Sequence, residues 1–264
     1  MPAVNPARLQ VQIDHLLTFF SAPKAFHRQL QDIFELYANR TLRIGEPISS
    51  QPLIPMYHLP DLVTRQVELE IRPHIHEDSL SAIAIADDLW TDAFFEIQHL
   101  AGFILGLIIT DDPEPICTRL ENWLTPDLDK TLASDLLSYG TRSLQSAFPV
   151  VWEQFIESLL THEDPKMVAL GLQGLAAGLQ INSDKLLPTI FRLISPLIQN
   201  IDQDISKELE HLIKALVSVS PTETSYFLKQ SVSISENKGT VRLIKQCVAF
   251  FDDELKKELN DSMR

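Results

Sequence analysis

The stretch "PVVWEQFIESLLTHEDPKMVALGLQGL", residues 149–175, reads as an aliphatic helix, a polar turn and a second amphipathic helix. The pattern recurs downstream. Aliphatic helices begin near Pro149, Leu186 and Thr222, at spacings of 37 and 36 residues. Each is followed by a polar turn and a second helix: "HEDPKMVALGLQGL", "IDQDISKELEHLIKAL" and "SENKGTVRLIKQCVAFF". Two helices per unit at this period are the pattern of a HEAT-like repeat, in which no pair buries its apolar stripe alone and the pairs stack. The expectation is an all-α chain, a HEAT-like α-solenoid of antiparallel helix pairs forming a single repeat domain over 1–264, with the clearest repeats in 149–260. Pro196 falls inside a helix of this region, where it removes a backbone bond and is expected to bend the element.

Upstream, caps and breakers predict more helices. One opens at Ser21-Ala-Pro and runs to about Asn39, and others start at Pro60-Asp61 and at "SLSAIAIADDLW". Thr91 reads as the N-cap of "DAFFEIQHLAGFILGLI", which breaks at Asp111-Asp112-Pro113. The segment from Thr41 to Leu59 holds Pro47, Pro52 and Pro55 and reads as a surface loop and possible internal boundary. The chain has only 8 glycines and no sustained alternation of period two, which argues against sheets.

Charge is distributed unevenly. The net value is −14, and all of it lies in the middle third. Residues 77–164 hold seventeen acids against three bases (Arg119, Lys130 and Arg142), while the flanking thirds each balance. Cys117 and Cys247 have no metal-type spacing and read as free buried thiols of a reducing compartment. The N-terminus lacks a signal-peptide pattern, and the longest apolar run, "LAGFILGLII", is about half of what a bilayer crossing needs. A cytoplasmic protein without a membrane span is the expectation.

Three landmarks carry a family resemblance: "YHLPDL" (57–62), "DDLWTDAFFEIQHLAGFILGLI" (88–109) and "LENWLTPDLDK" (120–130). In the middle one, Trp90 precedes a helix of the form E-x-x-x-L-A-x-x-x-L through Glu96, Leu100, Ala101 and Leu105 or Leu107. Over roughly residues 20–220 the chain resembles the alkylpurine DNA glycosylases built from HEAT-like repeats, the AlkD type. The resemblance implies a C-shaped solenoid that cradles duplex DNA, with an aspartate, aromatics and an arginine assisting loss of an N-alkylated base. The chain departs from that pattern. Where the family carries an arginine, "DPKMVALGLQGL" offers Met167, Val168 and Leu170, with Lys166 as the only base. Phosphate contacts dominate affinity for DNA, and a middle third of net −14 repels a duplex. The chain therefore reads as a divergent or non-catalytic member.

Candidate site residues follow. Thr125-Pro126-Asp127 has the form of a helix N-cap, so Asp127 and Asp129, the residual catalytic candidates, read first as cap and dipole residues. Trp90, Trp123 and Trp152 are candidates to line a concave binding surface. Adjacent acids at Glu77-Asp78, Asp87-Asp88, Asp111-Asp112 and Glu163-Asp164 are candidates for an acidic ridge along one edge. His74 and His76, two apart, point away from each other on a helix, so no metal site is expected. His99, on an apolar helix, reads as a packed histidine bonded to a backbone carbonyl. No cofactor motif is present. The leading reading is a non-catalytic interaction scaffold whose acidic centre meets a protein with a basic surface. The alternatives are an AlkD-type glycosylase of unusual charge and a pseudoenzyme that holds a small cationic ligand in the groove.

Overall fold

The structure, a computed structural model, describes residues 4–39, 54–235 and 237–263, and within 180–184 it describes the backbone alone. Helix makes up 79% of the described residues and no strand occurs among them, which establishes the all-α class. Contacts divide the chain into two compact units, Met1–Pro149 and Val150–Arg264. Of the proline-rich segment 41–59, residues 41–53 lie outside the described residues.

The first unit holds α1 (Pro6–Leu17), α2 (Pro23–Tyr37), α3 (Asp61–Glu77), α4 (Ser79–Trp90), α5 (Phe95–Leu105), α6 (Glu114–Trp123), α7 (Lys130–Tyr139) and α8 (Arg142–Ala147). The starts have local causes. Asn5 caps α1 ahead of Pro6, and the Asp78 carboxylate accepts from Ser81 N at 3.0 Å to start α4. The helices alternate between two ranks. α3 packs against α1 and α5, and α5 against α7, while α2 packs on α4. α4 meets α6 through the stacked rings of Trp90 and Trp123, with centroids 4.4 Å apart. The central α5 is buried along almost its whole length, from Glu96 to Leu105 with only Gln98 partly exposed. Its end comes so close to α7 that a Cβ on Gly106 would stand 1.8 Å from the Tyr139 carbonyl oxygen, so only glycine fits there.

Two anticipated caps fall elsewhere. Thr91 closes α4 instead of opening α5: its hydroxyl donates to the Asp88 carbonyl at 2.7 Å. Asp92 serves the next helix by accepting from Phe94 N at 2.7 Å. Thr125-Pro126-Asp127 does not start a helix either. Thr125 O accepts from Leu128 N in a turn, and Asp129 caps α7 by accepting from Thr131 N at 2.8 Å and Leu132 N at 3.2 Å.

The second unit holds α9 (Pro149–Leu160), α10 (Pro165–Gln199), α11 (Ser206–Val219), α12 (Pro221–Ile234), α13 (Lys238–Cys247) and α14 (Asp253–Ser262), with 3-10 turns at Gln203–Ile205 and Val248–Phe250. The starts expected at Pro149 and near Thr222 are present; the one near Leu186 is not. Helix α10 runs unbroken for 35 residues with Pro188 and Pro196 both inside it. The polar residues Asn182, Ser183 and Asp184 ahead of Leu186 lower helix propensity by at most about 0.7 kcal/mol each, too little to break a helix whose flanks are buried. Helix α10 packs on α11 and α12. Thr240 of α13 ties back to its end, donating to Ile198 O at 2.6 Å.

Candidate functional site

His99 is the most constrained ionisable group in the first unit. Its side chain leaves α5 between α3 and α7, and each ring nitrogen meets a carboxylate: Nε2 lies 2.8 Å from Glu68 of α3, and Nδ1 lies 2.7 Å from Asp135 of α7. Phe95 lies flat against the imidazole at 6.2 Å, and Tyr139 meets it edge-on at 5.0 Å. Burial disfavours the charged ring, but the bonds to Asp135 and Glu68 outweigh it and push the pKa up to about 9. At neutral pH the ring is therefore an imidazolium with both N–H groups donated. It has no lone pair left to accept a proton, so it cannot act as a general base. Its role is to bridge three helices. The partner expected from the sequence, a backbone carbonyl, is replaced by two carboxylates 31 and 36 residues away, a separation that no local pattern reveals.

One helical turn further along α3, α5 and α7 lies a row of aromatics flanked by two arginines, the second at the start of α8. The Arg72 guanidinium sits over Phe103 at 5.1 Å, the rings of Phe103 and Tyr139 are 6.3 Å apart, and Arg142 sits over Tyr139 at 4.3 Å. Of these residues only Arg142 was singled out in the sequence, as one of three bases in the acidic middle third, although the i, i+4 spacings of Glu68 with Arg72 and Asp135 with Tyr139 mark one face of each helix.

The rank of α2 and α4 has a second histidine bridge. His27 meets Asp88 through Nδ1 and Asp92 through Nε2, both at 2.8 Å, and Gln31 donates to Asp92 at 2.7 Å. Beside it is an open groove of about 750 Å³ lined by Ala22, Pro23, Lys24, Ala25, Ala84, Asp87, Asp88 and Thr91. Asp87 is held by a two-pronged pair with Arg119 of α6, at 2.7 and 2.6 Å.

The residues singled out in the sequence are dispersed. Trp90 and Trp123 come together, but on each other, and Trp123 is only 8% exposed. Trp152 is 1% exposed, packed in the core of the second unit against Gly178. Asp129 is committed to capping α7, and Asp127 lies exposed in the preceding turn. Glu96 is buried and receives Tyr57 N at 3.0 Å and His58 N at 2.7 Å, fixing residues 57–58, where His58 has φ +53. His74 packs beside Phe20, and no group of three potential metal ligands occurs among the described residues. Both cysteines are free and buried.

Within the first unit, two of the acidic pairs lie at opposite ends of α4. Ser79 donates to Ile109 O at 3.0 Å, which brings the Glu77-Asp78 turn beside the segment leading to Asp111-Asp112. Asp87-Asp88 sits toward the opposite end of α4, roughly 14 Å away at about 1.5 Å per residue. That pair is engaged by Arg119 and His27. Glu163-Asp164 belongs to the second unit, where Asp164 caps α10. One group of acids without an ion pair among the described residues lies around α6. Glu114 and Glu121 are exposed on it, and Asp111 and Asp112 precede it. Arg119 is the sole base between residues 111 and 129. The local field is felt by Cys117, whose thiol is pushed up by burial and then by Glu121, Glu114 and Asp112.

No protein-family model matches this chain, and no curated protein does so at a significant level. No helix among the described residues is long and apolar enough to cross a membrane.

Proposed function

We propose that this chain is a non-catalytic scaffold of HEAT-like helix pairs, stacked as an α-solenoid, which binds a partner protein with a basic surface. The alternation of α1, α3, α5 and α7 with α2, α4 and α6 supports the stacking, since each helix meets the next but one in its own rank. The single observation that carries the binding reading is the commitment of Arg119. Its guanidinium is spent on Asp87, so Asp111, Asp112, Glu114 and Glu121 have no ion-pair partner among the described residues. Such a surface steers a basic partner toward it and weakens with salt.

The histidines favour a scaffold over an enzyme. Each is held between two carboxylates, His99 by Glu68 and Asp135 of two helices and His27 by Asp88 of α4 and Asp92 just after it, an arrangement suited to rigidity. A glycosylase of the AlkD type is the runner-up, on the strength of Trp123 and Asp127. Against it, the Trp123 ring is covered by Trp90, and Asp129 is occupied with backbone N–H groups. The test is charge reversal on α6. Glu114→Lys with Glu121→Lys should weaken capture of an oligolysine peptide about tenfold, at roughly 0.2–1 kcal/mol for each exposed contact with repulsion added, while leaving the helical spectrum unchanged. Equal capture by the variant would remove α6 from the account.

A further inference from the structure

Glu68 and Arg72 stand four residues apart on α3, a spacing at which glutamate and arginine ordinarily pair, and here they do not. The Glu68 carboxylate is drawn to His99, and Arg72 lies instead on the Phe103 ring at 5.1 Å. On the other side the second carboxylate and the second arginine lie on successive helices. Asp135 is drawn to His99, and Arg142 lies on the Tyr139 ring at 4.3 Å with its Nε donating to Ser138 O at 3.1 Å. His99 takes both carboxylates, and neither guanidinium has an ion pair among the described residues. This occurs in a chain where acids outnumber bases 36 to 22, so unpaired arginines are not an outcome of acid shortage.

The two arginines are linked through the rings, since Phe103 and Tyr139 are 6.3 Å apart. Arg72 is exposed and Arg142 half-buried. A guanidinium laid on a ring keeps its plane fixed and its N–H donors at its edge, ready for a two-pronged carboxylate. We propose that the row Arg72–Phe103–Tyr139–Arg142 binds an acidic peptide segment of a partner protein, one carboxylate on each arginine. The site is separate from α6 and does not rest on the reading of that helix.

Three features select an acidic peptide over nucleic acid. The ring faces are occupied by guanidinium groups and cannot stack bases. Two cations release few counterions, whereas backbone binding to nucleic acid needs many. The exposed Arg72 on α3 and the half-buried Arg142 at the start of α8 flank the row, which suits an extended segment that reaches both. The surrounding acids act at longer range, and at physiological salt their field is screened beyond about 8 Å. Within the site itself, Arg72, Arg142 and the His99 imidazolium outnumber Glu68 and Asp135 by one charge.

The experiment is a fluorescence-anisotropy titration of the full chain with labelled hexaglutamate, beside a labelled oligothymidylate of the same charge. Arg72→Gln and Arg142→Gln should each weaken hexaglutamate binding about fivefold, the scale of one partly exposed charged contact, with circular dichroism unchanged. The oligothymidylate should bind more weakly, whether or not the arginines are present. Hexaglutamate binding that is undetectable, or that is indifferent to the double variant, overturns the proposal. So does arginine-dependent binding of the oligothymidylate that is tighter than that of the peptide.

Discussion

The Nδ1 atom of His99 lies 2.7 Å from the carboxylate of Asp135, on a helix 36 residues further along the chain. With Glu68 on the opposite nitrogen, this contact joins α3, α5 and α7 through one charged ring, and it makes the stability of the first unit sensitive to pH.

The sign follows from the shift. The folded pKa is raised to about 9, against about 6.5 in an unfolded chain. The stabilisation is therefore fully present below about 6.5 and lost as pH rises through about 9. Its size is on the order of a few kcal/mol. Urea midpoints should fall between pH 7 and 9, and the fall should vanish in His99→Gln, which starts from a lower plateau. The burial-raised groups Tyr57 and Cys247, both pushed up to about 12, add their own alkaline losses above that window. A midpoint flat from pH 7 to 9 in the unmodified chain would remove the imidazolium bridge.

Gly178 lies in α10 against Trp152, and an added Cβ would stand 2.9 Å from Cζ2 and 3.0 Å from Cη2 of that ring. A helical glycine replaced by alanine normally gains about 1 kcal/mol. Here overpacking costs about 1–3 kcal/mol, so Gly178→Ala should lower the melting temperature of the second unit. A rise in melting temperature would show that Trp152 has room to move.

Asp127 and Asp129 should differ in what they do for α7. Asp129→Ala removes two capping bonds and should cost about 1 kcal/mol, whereas Asp127→Ala, outside the helix, should cost less. Chemical denaturation of both variants checks this. Equal losses would mean that the cap is shared.

Much of the helical plan was legible because it is written in local chemistry. The span of α4 follows from Ser79 at one end and Trp90 at the other, whereas α5 ends at Leu105, ahead of the break expected at Asp111-Asp112-Pro113. The errors came where two local signals competed. Thr91 and Thr125 both look like caps, but Asp92 and Asp129 a few residues later hold the backbone N–H groups. The helix start expected near Leu186 is absent because α10 runs on through that point with buried flanks. The site was less legible than the fold. The meeting of Trp90 with Trp123, and of His99 with Glu68 and Asp135, depends on pairs more than thirty residues apart. Sequence spacing reports such pairs only after the helix ranks are known.

The net charge of −14 leads to a prediction about DNA. Duplex binding should be undetectable at physiological salt, and no 7-methylguanine should be released from alkylated DNA. Base release that disappears in Asp127→Asn or Asp129→Asn would establish an enzyme in place of a scaffold.

The central claim, a scaffold whose α6 surface takes a basic protein segment, is tested most directly by titrating the full chain with a labelled oligolysine peptide across a salt series. The account predicts saturable binding that weakens steadily as salt rises and that is reduced about tenfold by Glu114→Lys with Glu121→Lys, on the scale of exposed charge contacts. Binding that is absent at low salt, or that ignores both the salt and the two substitutions, would contradict it.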